Sequence, residues 1–548
     1  MTDGDRGRRR AAAAMATSVL AGLLVFAVLV APNDLTRLTP TALARLPLEA
    51  LVGLAFVLVL PPRARTAATA LAGVGLGLLT VLKVLDTAFL SVLARPFDPV
   101  LDWVLVADAF DFAESSSGRV VAVAYAAGAA LLVAVVVTLV TLAVVRLSRL
   151  AVRRQDVASR GLAVGTVVWL ACAVSGAQLV PDLPVASRSA AGVAYDRSRQ
   201  VRTGLQDQEA FAAEAAVDRF RNAPADQLLT ALRGKDVVFT FVESYGRVAV
   251  EDPQIGPGVG AVLDDGGRRL EAAGFHSRSG FLTSPVAGGA SWLAHATFFS
   301  GLHIDNEQRD RTLASSDRLT LTNAFRRASW DTAAVMPGTT RAWPDREFYG
   351  YDRVHDAFGL GYRGPNFSWA TMPDQYALTA FERLERSAPR RAPLMAEIVL
   401  VSSHAPWSPV PRLVGWDQVG DGSVFHRLPV EESTKATLFG DSRRARRAYG
   451  HSIEYSMRAI VEFVQRYGDK NTVVVLLGDH QPATTVSGAG ATHDVPISVI
   501  ARDPKVTDQI AGWRWQDGLH PSPEAPVWRM ESFRDRFLGA FGSTPSSH

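Results

Sequence analysis

Cysteine is nearly absent. The 548-residue chain holds only Cys172, inside an apolar run, so neither a disulfide framework nor a thiolate metal cluster can be built. An excess of either charge is lacking too: 57 Lys and Arg face 54 Asp and Glu. The Arg residues gather in short loops and leave no broad basic surface, which argues against nucleic acid as a partner. What is plentiful is apolar sequence, 48% of residues, and it is unevenly spread. Up to about Val180 the chain is built from Ala, Val and Leu runs, and from about Pro181 it reads as a mixed globular sequence.

A membrane helix needs roughly 20 mostly apolar residues, and the candidate spans are 12–31, 46–60, 67–94, 120–145 and 161–180. The second is short, so a re-entrant segment competes with a full crossing. Arg6, Arg8, Arg9 and Arg10 before the first run resemble the start of a cleavable signal, but four further runs favour an anchor. Lys83 and Asp86, three apart in the third run, share a helix face and are positioned to neutralise each other.

Loop charge sets the orientation. The N-terminal arginines, Arg63 and Arg65, and Arg146, Arg149, Arg153, Arg154 and Arg160 all fall on one side, which is therefore cytoplasmic. The opposite loop, 95–118, carries Asp98, Asp102, Asp108, Asp111 and Glu114. An odd number of spans then places everything beyond Pro181 outside the plasma membrane. The expected organisation is a five-helix transmembrane domain over 1–182, a helical connector over 183–233, an extracytoplasmic catalytic domain over 234–540 and a disordered tail over 541–548.

Beyond the connector, short β-rich runs alternate with amphipathic stretches such as 320–328 and 443–467. The strand candidates are 237–243, 332–336, 396–403, 472–478 and 495–501, several of them apolar throughout, as strands buried on both faces are. The fold class expected is an α/β sandwich with a mainly parallel central sheet. In such sheets function collects at the carboxyl ends of strands, and three of these ends read VESYG, SSHAPW and GDHQP.

Glu243 ends the first strand, and Asp479 and His480 end the fourth: two carboxylates and an imidazole able to converge on one divalent cation. Gly288 and Gly289 lead into Ser291 and a helix. A serine there is most often an N-cap, but free amides and the helix dipole also hold an anion at such a point. Thr297, Ser300 and His295 follow in the same segment and are weaker candidates, His295 being expected at the surface. His493, just before the fifth strand, is balanced between a ligand or substrate contact and a plain loop role. The segment 338–352 offers Arg341, Trp343 and Arg346, suited to phosphate oxygens and to packing on a glycerol or sugar.

The order VVFTFVESYG, GGAS, SSHAPW, GDHQP and HDVPI resembles the alkaline phosphatase superfamily, in particular the sulfatase-like membrane proteins of the lipoteichoic acid synthase branch. The resemblance implies that Glu243, Ser291, Asp479 and His480 bind the metal, with Ser291 as nucleophile where many relatives use Thr. It places His404 at a substrate-contacting or proton-donating position. An oxygen-rich set with one imidazole suits Mn²⁺ or Mg²⁺, with Zn²⁺ also possible.

The expected function is a metal-dependent phosphotransferase or phosphohydrolase acting on lipid-linked or cell-envelope phosphate esters beside the bilayer. A sulfatase would need a C/S-x-P-x-R context for formylglycine, whereas Ser291 is followed by Trp292, Leu293, Ala294 and His295. A second metal would call for a D-x-x-x-H element, and MPDQYAL lacks the His. A catalytically silent envelope-binding protein with this fold is the reading from another class.

Overall fold

The computed structural model describes residues 3–32, 45–180, 183–187, 189–340, 343, 346–367, 370–387, 392–427 and 441–543. They fall into two compact units, Met1–Leu90 with Arg95–Gln206, and Ser91–Ala94 with Asp207–His548.

The first unit is helical: α1 Asp3–Val30, α2 Leu48–Val59, α3 Pro62–Leu93, α4 Trp103–Ser117, α5 Arg119–Arg153, α6 Gln155–Ser175 and α7 Ser189–Ala216, the last running on into the second unit. Four of these, Ala12–Val30 within α1, α3, α5 and α6, are long and apolar enough to cross a membrane. Their outward faces carry exposed Leu23, Leu71, Leu132 and Val167, the inverse of a soluble helix bundle and a mark of membrane anchoring. The second expected span is a 12-residue helix, roughly 18 Å long at 1.5 Å per residue and so shorter than the hydrocarbon core.

Gly73 and Gly77 let α3 approach α5 closely. A Cβ at either would come within 2.7 Å of the Thr141 Cα or 2.8 Å of the Val137 Cα, the small-residue packing that membrane helices use. Lys83 turns its ammonium onto the carbonyls of Val28 and Ala31, 2.9 Å from each, and so caps the C-terminus of α1. Asp86 accepts from the Phe97 amide at 3.1 Å. The acidic loop before α5 contains helix α4 and an Arg95–Asp102 pair.

The second unit is built on one sheet. Its strands are β1 Asp236–Val242, β2 His276–Thr283, β3 Asp331–Met336, β4 Arg353–Asp356, β5 Leu394–Leu400, β6 Thr472–Gly478, β7 Asp494–Ala501, β8 Gln516–Asp517 and β9 Val527–Arg529. The spatial order is β8-β2-β7-β6-β1-β5-β3-β4, with β9 beside β2. From β6 to β4 every pairing is parallel, while β7 runs antiparallel to both its neighbours.

Strand geometry sends alternate side chains to opposite faces, and β1 shows the result. Val238 and Val242 join the core under α8 Gly256–Ala272 and α10 Ser442–Tyr467, with Leu263 and Ile460. Phe239 and Phe241 join the core under α9 Ser291–Ser300 and the helices Leu321–Arg327 and Ser532–Phe541, with Phe299 and Phe325. Both faces are covered, which is the α/β sandwich and explains why β1, DVVFTFV, is buried along its whole length and mostly apolar.

All five expected strands are present. β2 and β4 were not expected from their sequences, HSRSGFLT and RVHD, because polar residues occupy half or more of each. Phe541 is buried at the end of its helix, and residues 544–548 of the expected tail lie outside the described residues.

Candidate active site

Register brings the acids together. Gly478 of β6 pairs with Val242 of β1, so the next residues, Asp479 and Glu243, leave adjacent parallel strands side by side. Gly478 is required by contact: a Cβ there would lie 1.9 Å from the Tyr245 carbonyl oxygen. Ser244 turns the chain with φ +57°, donates its amide to Asp479 Oδ1 at 2.7 Å and its hydroxyl to Glu243 Oε1 at 2.8 Å. From α10, the Tyr449 hydroxyl holds the Ser244 carbonyl at 2.7 Å.

Ser291 reaches the same point from α9. Gly288, Gly289 and Ala290 all have positive φ, and Ala290 occupies the cap position without a side-chain hydrogen bond. Ser291 is therefore the first helical residue and is not the cap. Its Oγ donates to Glu243 Oε2 at 3.0 Å and lies 3.1 Å from His480 Nε2. His480 Nδ1 is 2.8 Å from the Gln481 carbonyl oxygen; that carbonyl can only accept, so Nδ1 carries the proton and Nε2 faces the cluster.

The donor set fits a divalent cation. The ligand atoms of Glu243, Asp479 and His480 all lie within 4.8 Å of one another, and His480 Nε2 is 3.4 Å from Glu243 Oε1 and 3.6 Å from Asp479 Oδ2. Ligand bonds of about 2.1 Å would set tetrahedral donors about 3.4 Å apart. Asp479 Oδ2 is buried without a hydrogen-bond partner, and a buried carboxylate oxygen in that state is costly unless a cation meets it.

Electrostatics point the same way. Burial would raise the Glu243 carboxyl, but the charge and hydrogen bond of His480 outweigh it and hold Glu243 below its usual range. Burial and the neighbouring Glu243 push Asp479 up to about 6. Burial opposes the charge on His480, yet Asp479 and Glu243 overcome it and raise the imidazole to about 9. Two buried carboxylates thus lean on one imidazole for positive charge, the shortfall a divalent cation would meet.

No family model and no curated protein matches the chain. Solved structures do. The lipoteichoic acid synthase LtaP from Listeria monocytogenes is 14% identical, with a TM-score of 0.39 over 58% of this chain and 74% of that one. A Vibrio parahaemolyticus protein of the alkaline phosphatase superfamily is 15% identical, with a TM-score of 0.36 over 62% and 75%. The Streptococcus pyogenes phosphoglycerol transferase GacH, in complex with sn-glycerol-1-phosphate, is 12% identical, with a TM-score of 0.36 over 62% and 80%. The likeness is at low identity, and the donor geometry stands independently of it.

Around this cluster the other candidates divide. His404 follows β5, with Nδ1 2.6 Å from the Ala405 carbonyl oxygen; burial lowers its basicity, and the charge of Glu243 works against that. Trp343 packs on Tyr349 and Tyr351, ring centroids 5.3 and 5.9 Å away. Arg346 is exposed at the start of a short helix, and Arg341 lies outside the described residues. His493 is half-buried, and its carbonyl accepts from the Ser284 amide at 3.0 Å. Thr297 is fully buried in α9, its hydroxyl accepting from the Ile304 amide just beyond the helix, and Ser300 is fully buried with its carbonyl taken by Arg318 and Arg534. Asp374 of MPDQYAL is a structural acid, buried and accepting from the Ser402 amide and the Ser456 hydroxyl.

His295 is not the surface residue its sequence suggests. Its ring stacks on Phe241 at 4.0 Å, and Nδ1 lies 2.8 Å from Glu397 Oε1. Glu397 Oε2 accepts from the Tyr351 hydroxyl. The signal was available: Glu397 is the one charged residue in LMAEIVL, a strand whose pattern calls for apolar side chains.

Proposed function

We propose that the chain is a membrane-anchored, metal-dependent phosphotransferase or phosphohydrolase that uses Ser291 as nucleophile on lipid-linked or cell-envelope phosphate esters. The observation that carries this is the placing of Ser291 Oγ, at the first turn of a helix, between Glu243 Oε2 and His480 Nε2, beside an Asp479 oxygen with no partner. Glu243, Asp479, His480 and Ser291 would hold the metal, with Mn²⁺ favoured and Mg²⁺ or Zn²⁺ as alternatives. Bound there, a divalent ion lowers the pKa of a coordinated hydroxyl and offsets phosphate charge.

The Ser291 hydroxyl gives up its proton to solvent water and Oγ attacks phosphorus in line; the new O–P bond forms as the ester oxygen departs, and His404, entering this step protonated, gives that oxygen a proton. Amides at the start of α9 face the phosphoryl oxygens. Water or an acceptor alcohol then displaces Ser291 and completes hydrolysis or transfer. Trp343, Arg341, Arg346 and His493 are the proposed substrate contacts. The apolar helices support a membrane-anchored enzyme with a lipid-linked substrate, and the arginine bias of the loops supports a catalytic unit outside the cytoplasm.

The test uses the full chain in detergent with Mn²⁺ and phosphodiester, phosphomonoester and sulfate-ester substrates, alongside Ser291→Ala. A phosphate adduct on the Ser291 peptide, lost together with turnover in Ser291→Ala, is the expected result. Unchanged turnover in Ser291→Ala would remove the nucleophile, and absence of both Mn²⁺ binding and turnover in the parent would favour a silent binding protein.

A further inference from the structure

Helix α9 has no side-chain cap at its N-terminus: Ala290 stands at the cap position without a side-chain hydrogen bond. Its remaining anchors are mostly apolar, with Leu293, Phe298 and Phe299 buried in the core. Apolar packing is non-directional, so it resists withdrawal of the helix better than rotation about its axis. Such a rotation would swing Ser291 Oγ away from its partners.

The side-chain hydrogen bonds of Trp292 and Thr297 reach the segment 304–307 that follows the helix, and beyond Ser291 it is His295 that ties α9 to the sheet. One turn after Ser291, on the same helix face, the His295 Nδ1 meets Glu397 Oε1 at 2.8 Å while its ring lies flat on Phe241 of β1, interplanar angle 21°. Glu397 sits in β5 at the level of Phe239 in β1, and its side chain is 2% exposed. Its other oxygen is fixed by Tyr351, whose hydroxyl is pushed well up by burial and then by the Glu397 charge, and so remains a donor.

A buried carboxylate in a sheet core is poor value for stability, since an apolar residue of similar size would do as well or better; registry is the better-attested use of such groups. We propose that His295 and Glu397 are positioning residues for Ser291: the stacked ring and its close N···O contact with Glu397 form a tether that fixes the rotation of α9 and with it the attack angle of the hydroxyl. The proposal rests on the reading of Ser291 as nucleophile. A small displacement of a reacting atom costs about 100-fold in rate, while Glu243, Asp479 and His480 stay in place on their own strand ends, so the tether acts mainly on kcat and only weakly on KM and metal affinity.

The experiment compares His295→Phe, which keeps the ring stack, Glu397→Gln, the double variant and Tyr351→Phe, as full chains in detergent with Mn²⁺ and a chromogenic aryl phosphodiester. Each single variant of the pair is expected to lower kcat by about 10- to 100-fold, with KM and Mn²⁺ affinity within about threefold of the parent. The double variant is expected to be no slower than the slower single, because the two act as one unit. Tyr351→Phe, which leaves the His295–Glu397 contact in place, is expected to retain kcat within about threefold. Unchanged kcat in both singles, multiplying losses in the double, a parallel loss of Mn²⁺ binding, or a fall in Tyr351→Phe equal to that in Glu397→Gln would each overturn the tether. Turnover lost in Ser291→Ala but intact in the pair variants removes the tether alone, whereas turnover intact in Ser291→Ala removes the nucleophile and the tether together.

Discussion

The carbonyl oxygen of Gln481 lies 2.8 Å from His480 Nδ1, and this one contact decides which ring nitrogen faces Ser291, 3.1 Å away on the other side of the imidazole. A backbone carbonyl thus does what an outer-shell carboxylate does in many metal sites, and no side-chain substitution at Gln481 removes it directly.

Asp479→Asn isolates the unpartnered oxygen. The amide keeps an acceptor for the Ser244 and His480 N–H groups, now met by Asp479 Oδ1 at 2.7 Å each, and ends the burial of a second carboxylate. Mn²⁺ affinity is expected to fall by at least about 100-fold while thermal stability in EDTA holds or rises. Calorimetric titration with a melting curve checks both, and a Tm fall in EDTA would show that the carboxylate serves the fold.

Metal binding is expected to depend steeply on pH. His480, raised to about 9, must shed its proton before Nε2 can bind a metal, so affinity rises about tenfold per pH unit from 6 toward 9 and levels above it. Below about 6 the Asp479 proton must leave as well, which steepens the slope. In the metal-free protein the sign reverses: both groups have raised folded-state values, so their stabilisation is present at low pH and lost as pH rises, through about 6 for Asp479 and about 9 for His480. Affinity measured across pH 5–10 tests the first statement, and melting in EDTA over the same range tests the second.

Gly478→Ala forces a Cβ to within 1.9 Å of the Tyr245 oxygen, and this backbone neighbour cannot swing aside. A destabilisation of about 3 kcal/mol is expected, with loss of Mn²⁺ binding because Glu243 and Asp479 flank the displaced segment. Chemical denaturation with and without Mn²⁺ measures it, and a loss under about 0.5 kcal/mol, the level of an ordinary surface change, would contradict the contact argument.

Topology has a separate test. Reporter fusions after Ala151 and after Ala190 are expected on opposite sides of the membrane, the first cytoplasmic. The same side for both would mean an even number of crossings between the arginine-rich loop and the second unit.

Much of this was legible in the sequence because the signals were local. Apolar runs marked the long helices, and β1, β5 and β6, buried on both faces, were plain from their Val, Ile and Leu content. Glu243, Asp479 and His480 stood out because each ends a strand. What escaped depended on tertiary pairing. β2 is held by contacts such as the Ser279–Ser498 hydroxyl pair at 2.7 Å, which no periodicity reveals. His295 read as a surface residue because its partner, Glu397, lies about a hundred positions away in a different element. The 12-residue α2, stopped by the Pro61–Pro62 pair, is the short second run that the sequence already set apart from the longer ones.

The reversal of β7 between β2 and β6 brings the start of that strand, with His493 just ahead of it, to the edge where the parallel strands end. The loop ahead of it enters from the opposite chain direction to the loops that carry Glu243 and Asp479. Residues inserted or exchanged over 488–493 would therefore reshape the rim while leaving the ligand-bearing turns untouched. This is the place where related chains could diverge in what they accept without rebuilding the centre that acts on it.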